Sequence, residues 1–121
     1  MKALVVVSHG SSRQASNDEV MKLGKQLEQR LCQDYPVVMT AYLEQVDPSI
    51  PAAIKSCVEK GATHVLIMPY FLAEGRHVHT DIPKQVGLAA EAETGVDIEI
   101  LPHLGSSDLM ADLMCGLLPT N

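Results

Sequence analysis

Short apolar runs, each followed by a longer amphipathic stretch, restrict this chain more than any other feature. Ala3-Leu4-Val5-Val6-Val7 is β-branched and uninterrupted by polar residues, the pattern of a strand covered on both faces. From about Gln14 to Gln33, Val20, Leu23, Leu27 and Leu31 recur at helical spacing with charges between them, which predicts an amphipathic helix. Val37 to Leu43 reads as a second strand after Pro36. Asp47-Pro48-Ser49 forms a turn and helix cap, Ile50 to Lys60 a helix, and Gly61 its C′ residue. His64 to Met68 is a third buried strand, and Pro69 to Arg76 an irregular segment. Asp81 is expected at the N-cap of a third helix, with Pro83 in its first turn, running to about Thr94 before Gly95. Val96 to Leu101 is a fourth strand, and Ser106-Ser107-Asp108 opens a last helix through about Leu117. Strands alternating with helices of this length require parallel pairing through right-handed crossovers. The expected fold is α/β: one open, parallel four-stranded sheet with helices on both faces, filling residues 1–121 as a single domain. In such sheets ligands bind beyond the carboxyl ends of the strands, at the switch point in strand order.

Composition narrows the partners. Asp and Glu total 15 against 9 Lys and Arg, a formal charge of −6. That balance speaks against nucleic acid and against an anionic membrane surface, both of which select basic faces. An anionic small molecule stays compatible, because a local Arg or Lys can outweigh the global sign. Cys32, Cys57 and Cys115 are far apart and lack CxxC spacing, so neither a zinc knuckle nor a disulfide framework is expected, and a reducing cytoplasm fits best. The N-terminal apolar run is too short for a signal peptide, and no stretch approaches the ~20 apolar residues of a membrane span.

Strand-edge logic selects the candidate residues. His9 falls just past the first strand, Glu44 ends the second, His77 lies in the loop after the third and His103 follows the fourth. His64 opens the third strand at the opposite edge and is set aside. Neutral imidazole ligates iron, cobalt, nickel and zinc ions and exchanges protons near neutral pH. Two imidazoles and a carboxylate on separate loops would hold a divalent ion loosely, with open positions, unlike a closed structural zinc site. The residues alone leave other readings open. His9 can be a turn residue bonded to backbone, Glu44 a cap, His103 a loop spacer and His79 an exposed loop residue. Ser8 to Ser12 can be read as a phosphate loop before a helix N-terminus, although it lacks the Walker lysine and the GxGxxG spacing. No G-x-S-x-G elbow supports Ser11 or Ser12 as a nucleophile.

Two blocks go further. Leu4-Val5-Val6-Val7-Ser8-His9-Gly10-Ser11 is a strand running into an S-H-G-S turn, and residues 69–83 follow the pattern P-x-F-L-x-x-G-x-H-x-x-x-D-I-P. A softer match is Tyr42-Leu43-Glu44 followed by Pro48-Ser49-Ile50. Over residues 3 to about 104 the chain resembles the small CbiX family of sirohydrochlorin chelatases, class II tetrapyrrole chelatases. The resemblance implies a chelatase-like, flavodoxin-like half-domain that inserts a metal ion into sirohydrochlorin. It carries the family's metal-site histidines onto His9 and His77, and its acidic residue onto Glu44, whereas His79 is not at a ligand position. It also implies a homodimer, since larger relatives hold two such domains in one chain. The last helix, with Leu109, Met110, Leu113, Met114, Leu117 and Leu118, is expected to cover the sheet with one face and to offer the rest to an isologous contact.

On this reading His9 and His77 present the metal and accept the pyrrole protons. Ser8, Gly10, Ser11, Arg13 and Arg76 are expected to bind the substrate's carboxylates through amides and guanidinium forks. Co2+ insertion toward cobalamin comes first among the metals, with Fe2+ insertion toward siroheme close behind and Ni2+ also compatible. No organic cofactor is called for. A non-catalytic metal or tetrapyrrole carrier on the same fold would keep both histidines without turnover, and a phosphate-binding module would have no role for His77.

Overall fold

Period-two alternation in the first strand sets the architecture. The computed structural model describes residues 1–120. Strand β1 (Lys2–Ser8) has Ala3 to Val7 buried without a break. Alternate side chains of a strand point to opposite faces, so this burial requires cover on both. Ala3, Val5 and Val7 enter one core cluster and Leu4 and Val6 another. Each fully buried Val or Ile contributes about 1.5–3 kcal/mol.

The remaining strands are β2 (Val37–Tyr42), β3 (His64–Pro69) and β4 (Asp97–Ile100). All pair in parallel in the order β2-β1-β3-β4. Helix α1 (Gln14–Arg30) lies on one face, where Leu27 packs on the Leu4, Val6, Val38 and Leu66 cluster. Helices α2 (Ile50–Glu59) and α3 (Ile82–Ala92) lie on the other, and their Ile54, Cys57, Ile82 and Val86 share a core with Val5 and Ile67. This distribution follows from connection geometry. The crossover from β1 leads to one side of the sheet, and those from β2 and β3 lead the other way. Crossovers of one hand then place α1 opposite α2 and α3. Gly24 brings α1 close to β2: a β carbon there would stand 2.5 Å from Thr40 Oγ1.

Two expectations need correction. The segment after β3 becomes helical earlier than the sequence predicts. A π-helical turn, His77–Asp81, runs directly into α3, and Asp81 has helical φ and ψ of −69° and −43° with no capping hydrogen bond. Asp81 is therefore inside the helical segment rather than at its cap, and His77 is on a helical turn rather than a loop. The last helix also differs. After a 3-10 turn at Leu104–Ser106, α4 spans only Met110–Gly116 and buries nothing. Leu109, Leu113, Leu117 and Leu118 keep 56–77% of their surface exposed, so α4 does not cover the sheet as expected. Edge strand β4 is also largely exposed and carries Asp97 and Glu99, charges that discourage edge pairing. Among the described residues no helix is long and apolar enough to cross a membrane.

Candidate functional site

The switch point of this sheet lies between β1 and β3, and β1 also borders β2. The segments leaving the carboxyl ends of these three strands are therefore neighbours, and they carry His9, Glu44 and His77. Backbone bonds extend the sheet into the site. Leu43 N–H donates to Ser8 O at 3.0 Å, Glu44 N–H to His9 O at 3.1 Å and Tyr70 N–H to Val7 O at 2.8 Å.

Gly10 makes the approach of Glu44 feasible. Its φ of +90° suits glycine, and a β carbon would collide with the Glu44 carbonyl. Beyond it, Asn17 locks the turn. Although only 5% exposed, Asn17 accepts from Ser11 N–H at 3.0 Å and donates to Ser11 O at 2.8 Å. The Tyr42 hydroxyl donates to the Asn17 carbonyl at 3.1 Å. Burial, followed by the Asp18 carboxylate, pushes the Tyr42 phenol above its usual pKa, which keeps it a neutral donor. Sequence reading named Tyr42 only within a motif and missed Asn17, because a buried Asn within a charged helix has no motif.

The histidines form two carboxylate pairs side by side. His9 Nε2 lies 2.6 Å from Glu44 Oε1, and His77 Nδ1 lies 2.8 Å from Asp81 Oδ2. The two rings stand 4.4 Å apart between centroids, at 44° to one another, and Phe71 lies 6.2 Å from His77 on the same basis. His9 and His77 keep 43% and 40% of their side chains exposed, so both rings are open to solvent. Among the described residues no group of three or more His, Cys, Asp or Glu side chains is arranged to hold a metal ion. Both carboxylates here are engaged by imidazole, which leaves one ring nitrogen free on each histidine.

Two open clefts flank the pair. One, of about 360 Å3, is lined by Ser8, His9, Gly10, Ser11, Asn17 and Tyr70 among others. The second, of about 500 Å3, includes Glu44, Arg76, His77, Asp81, Lys84 and Gln85. Ser8, Gly10 and Ser11 thus line the first cleft and Arg76 the second. Arg13 is exposed at the N-cap of α1 and lines neither cleft. Lys84 joins Arg76 as a cation of the second cleft, and its helical spacing from His77 was the available signal. His103 lines a separate cleft beside Met68 and Leu101, with β3 between it and β1. His79 is exposed and pairs loosely with Glu74 at 3.6 Å, and His64 meets Glu99 across β3 and β4 at 3.7 Å.

Residues 3–118 match the CbiX protein family. The chain is 37% identical over 111 residues to the chloroplastic sirohydrochlorin ferrochelatase of Arabidopsis thaliana, covering 92% of this chain and 48% of that protein. It is 39% identical over 88 residues to the sirohydrochlorin cobaltochelatase of Methanocaldococcus jannaschii, covering 73% of this chain and 60% of that one. The fold matches the crystal structure of the sirohydrochlorin chelatase SirB from Bacillus subtilis in complex with cobalt, with a TM-score of 0.82 and 24% identity, over 96% of this chain and 50% of that one. The chain thus spans 48% and 60% of the length of those two curated relatives.

Proposed function

We propose, from the premise that this chain belongs to the CbiX family, that it inserts a divalent metal ion into sirohydrochlorin. The observation that carries this reading is the pair of carboxylate-bonded imidazoles 4.4 Å apart at the sheet's switch point. Insertion exchanges two pyrrole N–H protons for the metal, and the ion must shed water as ring nitrogens replace it. A free imidazole nitrogen on an exposed ring binds a divalent ion weakly enough to pass it on. The His9–Glu44 pair can take up a departing proton, because Glu44 stabilises the imidazolium so formed. Ser8, Gly10 and Ser11 on one side, and Arg76 with Lys84 on the other, would receive the carboxylates of the macrocycle.

Co2+ is the proposed physiological metal, in a route to cobalamin, and the likeness to the archaeal cobaltochelatase supports it. The likeness to a plant ferrochelatase over 92% of the chain supports Fe2+ and siroheme as the second reading. A homodimer is proposed to rebuild the longer relatives' arrangement, supported by the uncovered apolar surface of α4. Free, separated cysteines fit a reducing cytoplasm.

The test is one absorbance assay with purified protein, sirohydrochlorin, and Co2+, Fe2+ or Ni2+ in turn. Conversion faster than the protein-free rate is expected, fastest with Co2+. Conversion at the protein-free rate with all three, despite metal binding, would leave a carrier instead. His9→Ala and His77→Ala should each lower turnover at least ~100-fold, in the range of a lost acid–base group, with circular dichroism unchanged. Wild-type turnover in both single variants would refute the assignment.

A further inference from the structure

The two histidines are held by opposite ring nitrogens. His9 uses Nε2 toward Glu44, and His77 uses Nδ1 toward Asp81. Among the described residues the Asp81 side chain makes no other hydrogen bond or ion pair. Its expected work as an N-cap is absent, since its backbone is helical and its side chain caps nothing. Its carboxylate bonds instead to the ring four residues earlier, across a π-helical turn. Such turns are rare and concentrate at functional sites.

We propose that Asp81 is a positioning residue that fixes the tautomer of His77. An ionised carboxylate offers only acceptors, so the 2.8 Å contact requires the proton on Nδ1. The neutral ring then carries its free lone pair on Nε2, and the bond also restrains the ring's rotation. Hydrogen bonding at one imidazole nitrogen sets which nitrogen is left for a metal and raises its basicity. His9 is held the other way round: with Nε2 engaged by Glu44, its free nitrogen is Nδ1. The neighbouring rings thus offer unlike nitrogens to whatever lies between the strand ends. The consequence for metal delivery rests on the metal-insertion reading; the tautomer does not. In the Nε2–H tautomer the Nδ1 lone pair would face the carboxylate oxygen at 2.8 Å and no hydrogen bond would form.

The test uses the full chain with 15N- and 13C-labelled histidine, at a pH where His77 is neutral. Ring nitrogen shifts and ring couplings should identify His77 in the wild type as the Nδ1–H tautomer. Asp81→Ala should move it toward Nε2–H, and Asp81→Asn, whose amide oxygen can still accept, should retain more of the original. A wild-type Nε2–H ring would overturn the proposal outright, as would an unchanged tautomer in Asp81→Ala with native helix content. Co2+ titration of the same samples separates the two readings. The dissociation constant is expected to rise about 10–100-fold in Asp81→Ala. An unchanged affinity alongside a lost tautomer would overturn the delivery role. A wild type that binds no Co2+ would overturn the metal reading while leaving the tautomer assignment supported.

Discussion

At Gly10 the backbone takes φ of +90°, and a β carbon would meet the Glu44 carbonyl. Gly10→Ala should therefore destabilise the protein by about 2 kcal/mol or more through strain and collision. Urea unfolding would measure the loss, and the His9–Glu44 pair should loosen with it. Cys57 makes a second prediction at this scale. Burial pushes its thiol up to about 11, against the opposing effects of Lys60 and a backbone hydrogen bond. At neutral pH a thiol reagent should titrate Cys32 and Cys115, which are exposed, and reach Cys57 only after denaturant is added. Rapid modification of all three in the native protein would contradict this. Legibility at this scale is uneven. His77 was separable from His79 by a motif, whereas the partner of His77 was hidden because Asp81-Ile82-Pro83 reads equally well as a helix start.

Helix α2 shows local chemistry and tertiary structure in agreement. Ser49 accepts from Ala52 N–H at 3.2 Å, Pro51 sits in the first turn, and Gly61 adopts φ of +101° beyond the C-terminus. Ser49→Ala should cost about 1 kcal/mol, read as a lower urea midpoint with an unchanged slope. Helix α3 shows the limit of the same reasoning. Cap and proline signals pointed to a start at Asp81, yet the chain is already helical from His77. Cap rules score one turn at a time, and here the carboxylate is taken by His77 instead of by backbone N–H groups. The existence of every strand was readable from short apolar runs, and no end shifted by more than one residue.

At the scale of the whole molecule, α4 is the helix that has no buried residue among the described residues. Leu109, Leu113, Met114, Leu117 and Leu118 are all more than half exposed. Exposed apolar side chains clustered in one short segment are of the kind that marks interaction sites. If α4 forms the proposed dimer contact, replacing Leu109, Leu113 and Leu117 by Gln should convert a sedimenting dimer into a monomer. It should leave monomer stability nearly unchanged, because these three side chains are mostly exposed within the chain. A wild type that sediments as a monomer at micromolar concentration would remove the dimer proposal. The sequence predicted an apolar last helix but wrongly laid one of its faces on the sheet: hydrophobic spacing says that a face wants cover, not which surface supplies it.

Periodicity, caps and turn glycines determined the fold class, the parallel pairing and the edge at which His9, Glu44 and His77 would appear, because these depend on local chain stereochemistry. Strand order did not follow from them. Only the tertiary structure placed β1 between β2 and β3, and that adjacency joins His9, Glu44 and His77 while it sends His103 to another cleft. The orientation of each imidazole was likewise decided in three dimensions. It depends on which ring nitrogen a carboxylate reaches, and for His9 that carboxylate comes from the segment after β2, 35 residues further along the chain.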